Sequence, residues 1–439
     1  MDKRAAQTVD QYFYIFEKSF CIFAIVFYSS SILFLMQFDY RISLTIEKLI
    51  YHTTTLTTLL LLLIHWRTFI PALQKLWPLM TVVTFVIGTI FWSDAPGLSI
   101  QKCLPFIRCT LLGLYLGIRF DLNKSLTILS TAFMISGALS LVFGLVLPQY
   151  GVMGKGIILS GEDIKHFGSW RGIYSHKNYL GRSMVLGLLC LCLTPIRKQM
   201  YIVKYFCLVI LALNLILSNS KTALVISLTI SLLILLLKSL RLKYSWMLPI
   251  LTFFIFCSGS VVTIVSDNFD QLLGSLGKDA TLSGRTDLWH ECLLSVRDRP
   301  FLGHGYGAFW TKGGGAEVVW REFGWQAPHA HNGFLDLLLD IGILGTVLFL
   351  LCYVLVSYQA LQLLRQTTSL SGIFPLAFLA MMFMVNLTES STVVRPQFAW
   401  TVFVGIFVLV QRERSKLEAN ATTSTDQNLH ETTPIIAAH

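Results

Sequence analysis

The sequence is short of charged residues. Only 13% of its 439 residues are Asp, Glu, Lys or Arg, whereas a soluble domain carries roughly 25%. Hydrophobic residues make up 54% of the chain, so lipid must solvate much of its surface. Because backbone polar groups in lipid have to be satisfied internally, the long apolar runs are predicted to be membrane-spanning helices.

The usual motifs of soluble enzymes are missing as well. The chain has no P-loop, no His-Glu-x-x-His, no Cys/His zinc spacing, no nucleophile elbow and no metal-binding Asp-x-Asp. The nine cysteines give no disulfide framework, since most lie inside apolar runs and only Cys292 lies well inside a long loop. We therefore expect neither a metal nor another cofactor.

The net charge of +10 does not indicate nucleic acid, because the basic residues are scattered among short loops instead of forming one stripe. If the N-terminus is inside, the cytoplasmic loops contain most of the short-loop Lys and Arg, and the outside loops contain few. The positive-inside rule then predicts a multi-pass membrane protein with both termini in the cytoplasm.

The hydropathy pattern predicts an all-α polytopic membrane protein with about twelve transmembrane helices. The first apolar run is too long for a signal-peptide core and has no small-residue cleavage site, so we expect it to be a span. The predicted spans are 19–38, 49–64, 76–92, 103–118, 125–147, 179–194, 201–217, 221–237, 246–265, 333–356, 372–387 and 397–411.

Two long connections, both predicted to be periplasmic, interrupt the spans. Long ordered loops in a compact protein are usually functional. The second connection should contain a helix that starts at Ser283 or Thr286 and stops before Pro300. The polar composition of the tail after Leu417 predicts that it is disordered. The resulting segments are a cytoplasmic N-terminus (1–18), an N-terminal bundle (19–147), a first loop (148–178), central helices (179–265), a large loop (266–332), C-terminal helices (333–411) and a tail (412–439).

The sharpest motif is His331-Asn332, followed after nine residues by Gly342 and then by Gly345. Helical spacing puts Asn332 on one stripe with the carboxylates of residues 336 and 340, which should face a polar cavity. These carboxylates either form a structural polar pair or take part in catalysis. The two glycines would let a neighbouring helix approach closely. His331 is either an interfacial histidine bonded to a loop carbonyl or a catalytic group.

Three further segments carry candidate residues. Arg285, at the expected helix start, adds a cation to the positive end of the helix dipole, a conflict that a bound anion would resolve. The glycine run 303–307 reads as a helix stop and a flexible turn. The segment from Arg171 to Asn178 precedes the sixth span, and Lys221 lies in a short outside turn where it is either a snorkelling lysine or a ligand. The tryptophans of the second loop, Trp289 among them, would stack on sugars or form an interfacial belt.

Together these motifs resemble the O-antigen ligase and Wzy-type polymerase superfamily. The resemblance covers roughly residues 150 to 350 and rests on His331-Asn332-x9-Gly342-x-x-Gly345, on Ser283-Gly284-Arg285 with Trp289, and on Gly172 through Asn178. Many members have Arg where this chain has Lys221. That variant and Tyr174-Ser175-His176-Lys177-Asn178 are similar to the exopolysaccharide-polymerase branch.

The resemblance implies a GT-C-like membrane glycosyltransferase of the bacterial inner membrane that needs no metal. Its donor would be a saccharide on undecaprenyl diphosphate, and its acceptor a sugar hydroxyl on a second lipid-linked chain. His331 would handle the proton of the hydroxyl, because imidazole exchanges a proton near neutral pH. Arg285 would balance the charge of the leaving diphosphate. Substrate binding would fall to Lys221, Arg171, His176, Lys177, Asn178, Asn332 and Trp289.

Two other functions compete with polymerisation. An O-antigen ligase, which transfers the glycan to lipid A–core, would share every one of these residues. A transporter of lipid-linked sugars is disfavoured, because the sequence shows neither inverted repeats nor broken helices. A polysaccharide flippase and a chain-length regulator are the protein partners expected of a polymerase, besides membrane lipids.

Overall fold

The computed structural model describes residues 3–30, 40–156, 161–239, 283–323, 326–367, 369–389 and 398–431. Regular structure within these ranges is helical, and an isolated bridge between Val152 and Trp170 is their only β-type pairing. The all-α fold class is therefore confirmed for the described residues.

The described residues form fourteen helices, apart from short 3-10 and single-turn segments. They are α1 (Lys3–Ser29), α2 (Tyr40–Ile64), α3 (Trp66–Lys75), α4 (Trp77–Gly88), α5 (Pro96–Arg119), α6 (Leu122–Leu145), α7 (Lys177–Leu193), α8 (Tyr201–Leu217), α9 (Lys221–Ser239), α10 (Ser283–Asp298), α11 (Ala316–Phe323), α12 (Gly333–Gln366), α13 (Phe374–Thr388) and α14 (Phe398–Glu431).

Helices occupy the described part of every predicted span; residues 31–38 of the first span and the whole of 246–265 lie outside the described residues. Six of them are long and apolar enough to cross a membrane, or up to seven if the bent pair of α2 and α3 forms one span. The chain is thus an integral membrane protein, and the number of twelve spans stays a prediction. The expected helix of the second long loop is present as α10, which begins at Ser283.

Helices α5 and α14 pack closely together, and two glycines one helical turn apart allow this approach. A Cβ atom on Gly113 would lie 2.5 Å from the carbonyl oxygen of Thr401, and one on Gly117 would lie 2.5 Å from Cβ of Val408. Small residues at this spacing let two membrane helices approach closely. Trp400 closes the same interface, donating from Nε1 to Oγ1 of Thr110 at 2.8 Å.

Helix α12 is broken at Gly342, where φ is 64° and ψ is −174°. The expectation of no broken helices was therefore wrong. Gly345 does admit a neighbouring helix, since a Cβ there would lie 2.6 Å from the ring of Phe85 in α4. Gly342 instead faces the chain after α10, where a Cβ would lie 2.3 Å from the carbonyl oxygen of Phe301. The sequence could not distinguish these two roles, because each requires a residue without a side chain, which is glycine.

The chain after α10 supplies the hydrogen bonds that the break removes from α12. N–H groups of Ile343 and Leu344 donate to the carbonyls of residues 300 and 301, at 2.8 and 3.1 Å. The carbonyls of Leu339 and Asp340, on the other side of the break, accept from residues 304 and 305 at 2.8 and 3.0 Å. Gly303, with φ of 69°, touches Gly342 at this crossing. The glycine run is thus a fixed contact with α12, and its interpretation as a flexible turn was wrong.

We expect Gly342→Ala to lower the free energy of unfolding by at least ~2 kcal/mol, because alanine is strained in this backbone region and its Cβ would strike a carbonyl. Thermal unfolding of the purified protein in detergent measures the loss. Gly97→Ala is the matched control, since nothing lies within 4 Å of a Cβ at that helical glycine. Equal unfolding midpoints for the two variants would contradict this account of the break.

The C-terminal tail also differs from the sequence prediction. Helix α14 continues through Glu431, although the chain after Leu417 reads as disordered. The helix leaves the bundle through Gln-Arg-Glu-Arg-Ser-Lys-Leu-Glu-Ala, which consists mainly of good helix formers. Lys416 also donates to Glu413 at 2.9 Å with favourable i, i+3 spacing. These local preferences outweigh the polar composition that suggested disorder.

Candidate functional site

Asn178 joins three separate parts of the chain at one end of the helical bundle. Its Nδ2 atom donates to Oε1 of Glu389 at 3.0 Å, and its Oδ1 atom accepts from Oγ of Ser220 at 3.0 Å. The Nζ atom of Lys177 donates to the carbonyl oxygen of Asn219 at 3.2 Å. The start of α7, the turn between α8 and α9, and the end of α13 therefore meet here.

Glu389, the residue after α13, is the carboxylate of this cluster. Its side chain is 11% exposed, and Oε2 lies 3.7 Å from Nδ1 of His331. Burial raises the pKa of Glu389, but the His331 side chain and the charge of Arg182 lower it by more, with a smaller contribution from His329. The pKa of this carboxyl is thus held well below its ordinary value, and the group is ionised at neutral pH.

His331 lies in a strained turn, with φ of 53°. Few non-glycine residues adopt this left-handed conformation, and His and Asn are among those that do. Its backbone N–H donates to Nδ1 of His329 at 3.0 Å, and the two rings lie 4.0 Å apart between centroids. Asn332 then caps α12, accepting from the N–H groups of Phe334 and Leu335. Cap and turn together fix the imidazole at the start of α12.

The three ionisable groups of the cluster are close enough to be considered as a metal site. Possible ligand atoms of His329, His331 and Glu389 lie within 4.8 Å of one another, and two histidines with a glutamate can bind zinc. However, Nδ1 of His329 accepts a backbone N–H, so its proton lies on Nε2 while the ring is neutral. No lone pair then remains for a metal. These three side chains are therefore better suited to accepting and releasing a proton than to binding a metal ion.

Four helices begin at segments that the sequence analysis selected. Helix α7 begins at Lys177, α9 at Lys221, α10 at Ser283 and α12 at Gly333. The contacts of Asn178 join the starts of α7 and α9 to the carboxylate that faces the start of α12. Helix N-termini carry unsatisfied N–H groups and the positive ends of the dipoles. Three such ends in one place make a site suited to an anion.

Residues 206–350 match the family model described as O-antigen ligase. This part of the chain is thus similar to the O-antigen ligase and Wzy-type polymerase superfamily. The matched region, about a third of the chain, is called the O-antigen ligase domain below. It contains α9, α10, α11 and the start of α12, with the strained histidine turn between them. The resemblance stated from the motifs is thus confirmed.

A curated relative points to the same branch of the superfamily. The exopolysaccharide production protein ExoQ of Rhizobium meliloti (strain 1021) is 36% identical over 107 residues. The alignment covers 24% of this chain and 25% of that protein. The similarity therefore spans a quarter of the length of the relative.

The O-antigen ligase domain contains five of the predicted site residues. His331 and Asn332 lie in the cluster, and Lys221 is the exposed first residue of α9. Arg285 lies in the first turn of α10, with its side chain outside the described residues. Trp289 donates from Nε1 to the carbonyl oxygen of Ala330 at 2.8 Å, so it fixes the turn that contains His331.

The other predicted site residues precede the domain. His176 caps α7, accepting from the N–H of Asn178 at 3.2 Å, and Lys177 contacts the turn before α9. Arg171 is completely buried. Its Nε atom donates to the carbonyl oxygen of Tyr150 at 2.7 Å, and its Nη1 atom pairs with Asp163 at 3.0 Å. These contacts hold the first long connection together, so Arg171 supports the chain that leads into α7.

The two aspartates of α12 accept hydrogen bonds from the second loop. Asp336 accepts from Nε1 of Trp310 at 2.7 Å and from the N–H of Ala330 at 3.1 Å. Asp340 accepts from the N–H of Gly307 at 3.0 Å. Both carboxylates are buried by these contacts, which is the structural alternative of the sequence analysis. The carboxylate that pairs with His331 is that of Glu389.

Sequence reasoning missed Glu389, His329 and Arg182. Glu389 follows a predicted span in a polar stretch without any motif, and it reaches the site only because α13 ends beside α7. His329 had a weak signal, the doubled histidine of His-Ala-His-Asn. Arg182 follows the selected segment by one helical turn, and its Nε atom donates to the carbonyl oxygen of Asn178 at 3.2 Å. Only the tertiary packing reveals these three.

Proposed function

We propose that the chain polymerises undecaprenyl-diphosphate-linked repeat units of an exopolysaccharide at the periplasmic face of the bacterial inner membrane. The observation that carries this proposal is the meeting of His331 and Glu389 with three helix N-termini. A proton acceptor beside an anion site is what glycosyl transfer from a lipid diphosphate requires.

In the proposed reaction a sugar hydroxyl of the acceptor attacks the anomeric carbon of the donor. A new carbon–oxygen bond forms, the bond from that carbon to the diphosphate oxygen breaks, and undecaprenyl diphosphate leaves. His331 takes the hydroxyl proton. With Nδ1 near the Glu389 carboxylate, Nε2 is the atom for this step, and the ionised carboxylate stabilises the imidazolium that forms.

The negative charge that develops on the leaving diphosphate needs cations and N–H donors. Lys221 and Arg285 each lie in the first turn of a helix, where a cation adds to the positive end of the dipole. Bound phosphate oxygens would offset that repulsion, Arg by a bidentate contact and Lys as a point charge. The part of the binding site around the sugars would be formed by five further side chains, those of Lys177, Asn178, His176, Asn332 and Trp289.

This function fits the topology that the charge pattern predicts. Residues 178, 220, 331 and 389 all fall in segments predicted to be outside, and they meet at one end of the bundle. We propose that this end faces the periplasm and that both termini are cytoplasmic. A flippase would supply the lipid-linked units and a chain-length regulator would limit the polymer.

A ligase that transfers the glycan to lipid A–core is the second candidate, because the matching family model is described as O-antigen ligase. A deletion strain separates the two functions. Loss of polymer with accumulation of single lipid-linked units is expected for a polymerase. Intact lipid-linked polymer that never reaches the core would identify a ligase.

We expect activity in purified membranes to survive EDTA. The charge of the leaving group is balanced by Lys221, Arg285 and helix dipoles, and the donor set around His331 fits a proton better than a metal. Product formation before and after chelation measures this. Abolition by EDTA with recovery on adding a divalent metal would show that the cationic account is wrong.

A further inference from the structure

Helix α3 leaves the axis of the preceding span almost at a right angle. The bend between α2 and α3 is 93°, and it lies at His65. Because α2 has the composition of a membrane span, a helix perpendicular to it runs along the plane of the membrane. The structure leaves no residue of α3 fully buried, so the helix lies on the outside of the bundle.

The side chains of α3 divide into three faces. Phe69 and Ala72 pack against the protein core. Trp66 and Ile70, one turn apart, are about half exposed, at 51% and 49%. Polar and basic side chains occupy the remaining face, which includes Arg67. A helix with one apolar exposed stripe beside a basic stripe is typical of the membrane–water boundary.

Aromatic residues mark both ends of this segment. Trp66 begins α3, and Trp77, which begins α4, is 69% exposed. Tryptophan favours the headgroup level because its ring is amphipathic. The guanidinium carbon of Arg67 lies 5.7 Å from the centroid of the Trp66 ring. The apolar ring and the cation thus lie at neighbouring depths, as a headgroup boundary requires.

A buried polar cluster fixes the angle of α3. Glu17 of α1 is completely buried and accepts from Nε2 of His65 at 2.7 Å. The same carboxylate accepts from the hydroxyl of Tyr115 at 2.5 Å and pairs with Arg119 at 2.7 Å. Two helices, α1 and α5, therefore hold the residue at the bend. The orientation of α3 is built into the fold and does not depend on a partner.

The charge around α3 is positive. Lys75 ends the helix and donates to Oγ of Ser415 in α14 at 3.3 Å. Residues 412, 414 and 416 of that helix are basic as well. Asn178 falls in a segment predicted to be outside, whereas residues 65–75 and 412–416 fall in segments predicted to face the cytoplasm. Anionic phospholipids give the cytoplasmic leaflet a negative surface potential.

We propose that α3 docks on the headgroups of anionic phospholipids, with Trp66 and Ile70 among the acyl chains and with Arg67 and Lys75 at the phosphates. This interaction surface is separate from the glycosyl-transfer site and does not rest on the proposed function. The bend at His65 presents it, and the Glu17 cluster keeps it in place.

Photo-crosslinking of the full chain in its own membrane tests the depth of the helix. Benzoylphenylalanine at Ile70 is expected to capture phospholipid, and at Thr68, an exposed polar residue nearly opposite Ile70 on the helix, to capture little. Equal capture of lipid at both positions overturns the orientation. Capture of a protein at Ile70 in place of lipid overturns the proposed occupant.

The retention of phospholipid by the purified protein tests whether the basic residues of α3 bind anionic headgroups. We compare wild type with Arg67→Gln/Lys75→Gln in nanodiscs of phosphatidylcholine with or without phosphatidylglycerol, and count retained lipids by native mass spectrometry. The double variant should retain phosphatidylglycerol on the order of tenfold less well, because each basic residue near an anionic surface favours binding. Lys312→Gln/Arg321→Gln, two exposed cations elsewhere, is the matched control and should behave as wild type. Equal retention by all three proteins, or equal losses in both double variants, overturns the proposal.

Discussion

His331→Asn is expected to reduce polymer formation by ~10²–10⁴-fold, the usual contribution of a general acid–base group. Asparagine is the informative replacement because His331 has a φ of 53°, and Asn tolerates this backbone conformation better than Ala. The variant removes the imidazole and keeps the turn. Initial rates of polymer formation in membranes, at matched expression, measure the effect.

The control for this experiment is the unfolding midpoint of the same variant, which should stay near that of wild type. Glu389→Gln should also slow the reaction, because the neutral amide cannot stabilise an imidazolium at Nδ1 of His331, 3.7 Å away. If His331→Asn forms polymer at the wild-type rate, His331 is an interfacial residue and the proton-handling account is wrong.

Removal of either cation should be nearly as damaging. We expect Arg285→Ala and Lys221→Ala each to lower the rate by ~10²–10³-fold, the usual cost of losing a contact to charge that develops in the transition state. Lys221→Arg should retain most activity, since many members of the superfamily have Arg there and the charge is what the diphosphate requires. Lys221→Glu should be worst, because it would repel the donor.

The series separates a binding role from a structural one. Lys221 is exposed at the start of α9, so a merely structural lysine there should accept alanine with little effect. Lys312→Ala is the matched control, an exposed lysine in the second loop that the proposal does not use. Wild-type rates from Arg285→Ala and Lys221→Ala would remove both residues from the diphosphate site.

The sequence could predict the helices because lipid leaves the backbone few alternatives. Each predicted span in the described residues falls on a helix, and α10 begins at Ser283, one of the two residues predicted to start it. The break in α12 was not predictable in the same way. In the sequence, Gly342 resembles a glycine that lets a neighbouring helix pack closely. Only the structure shows that Gly303 contacts Gly342 and that the segment after α10 supplies the hydrogen bonds that α12 loses at the break.

Residues of the candidate site could be predicted where they belong to short sequence motifs. They could not be predicted where only tertiary packing brings them to the site. His331, Asn332 and Asn178 belong to local patterns, and the structure brings His331 and Asn178 to the same carboxylate. Glu389 belongs to no pattern, because a single acidic residue after a span has many structural uses. Arg171 shows the converse. Its motif suggested substrate binding, whereas its guanidinium is engaged by Asp163 inside the fold.

The most direct test of the central claim uses the purified full-length protein, reconstituted with undecaprenyl-diphosphate-linked repeat units as its sole substrate. The account predicts a ladder of lipid-linked oligomers, release of undecaprenyl diphosphate, and loss of both with His331→Asn. Release that begins only when lipid A–core is added, with the glycan attached to the core, would contradict polymerisation and identify a ligase. A protein that forms no glycosidic bond with either acceptor, while wild-type membranes do, would contradict the enzymatic account itself.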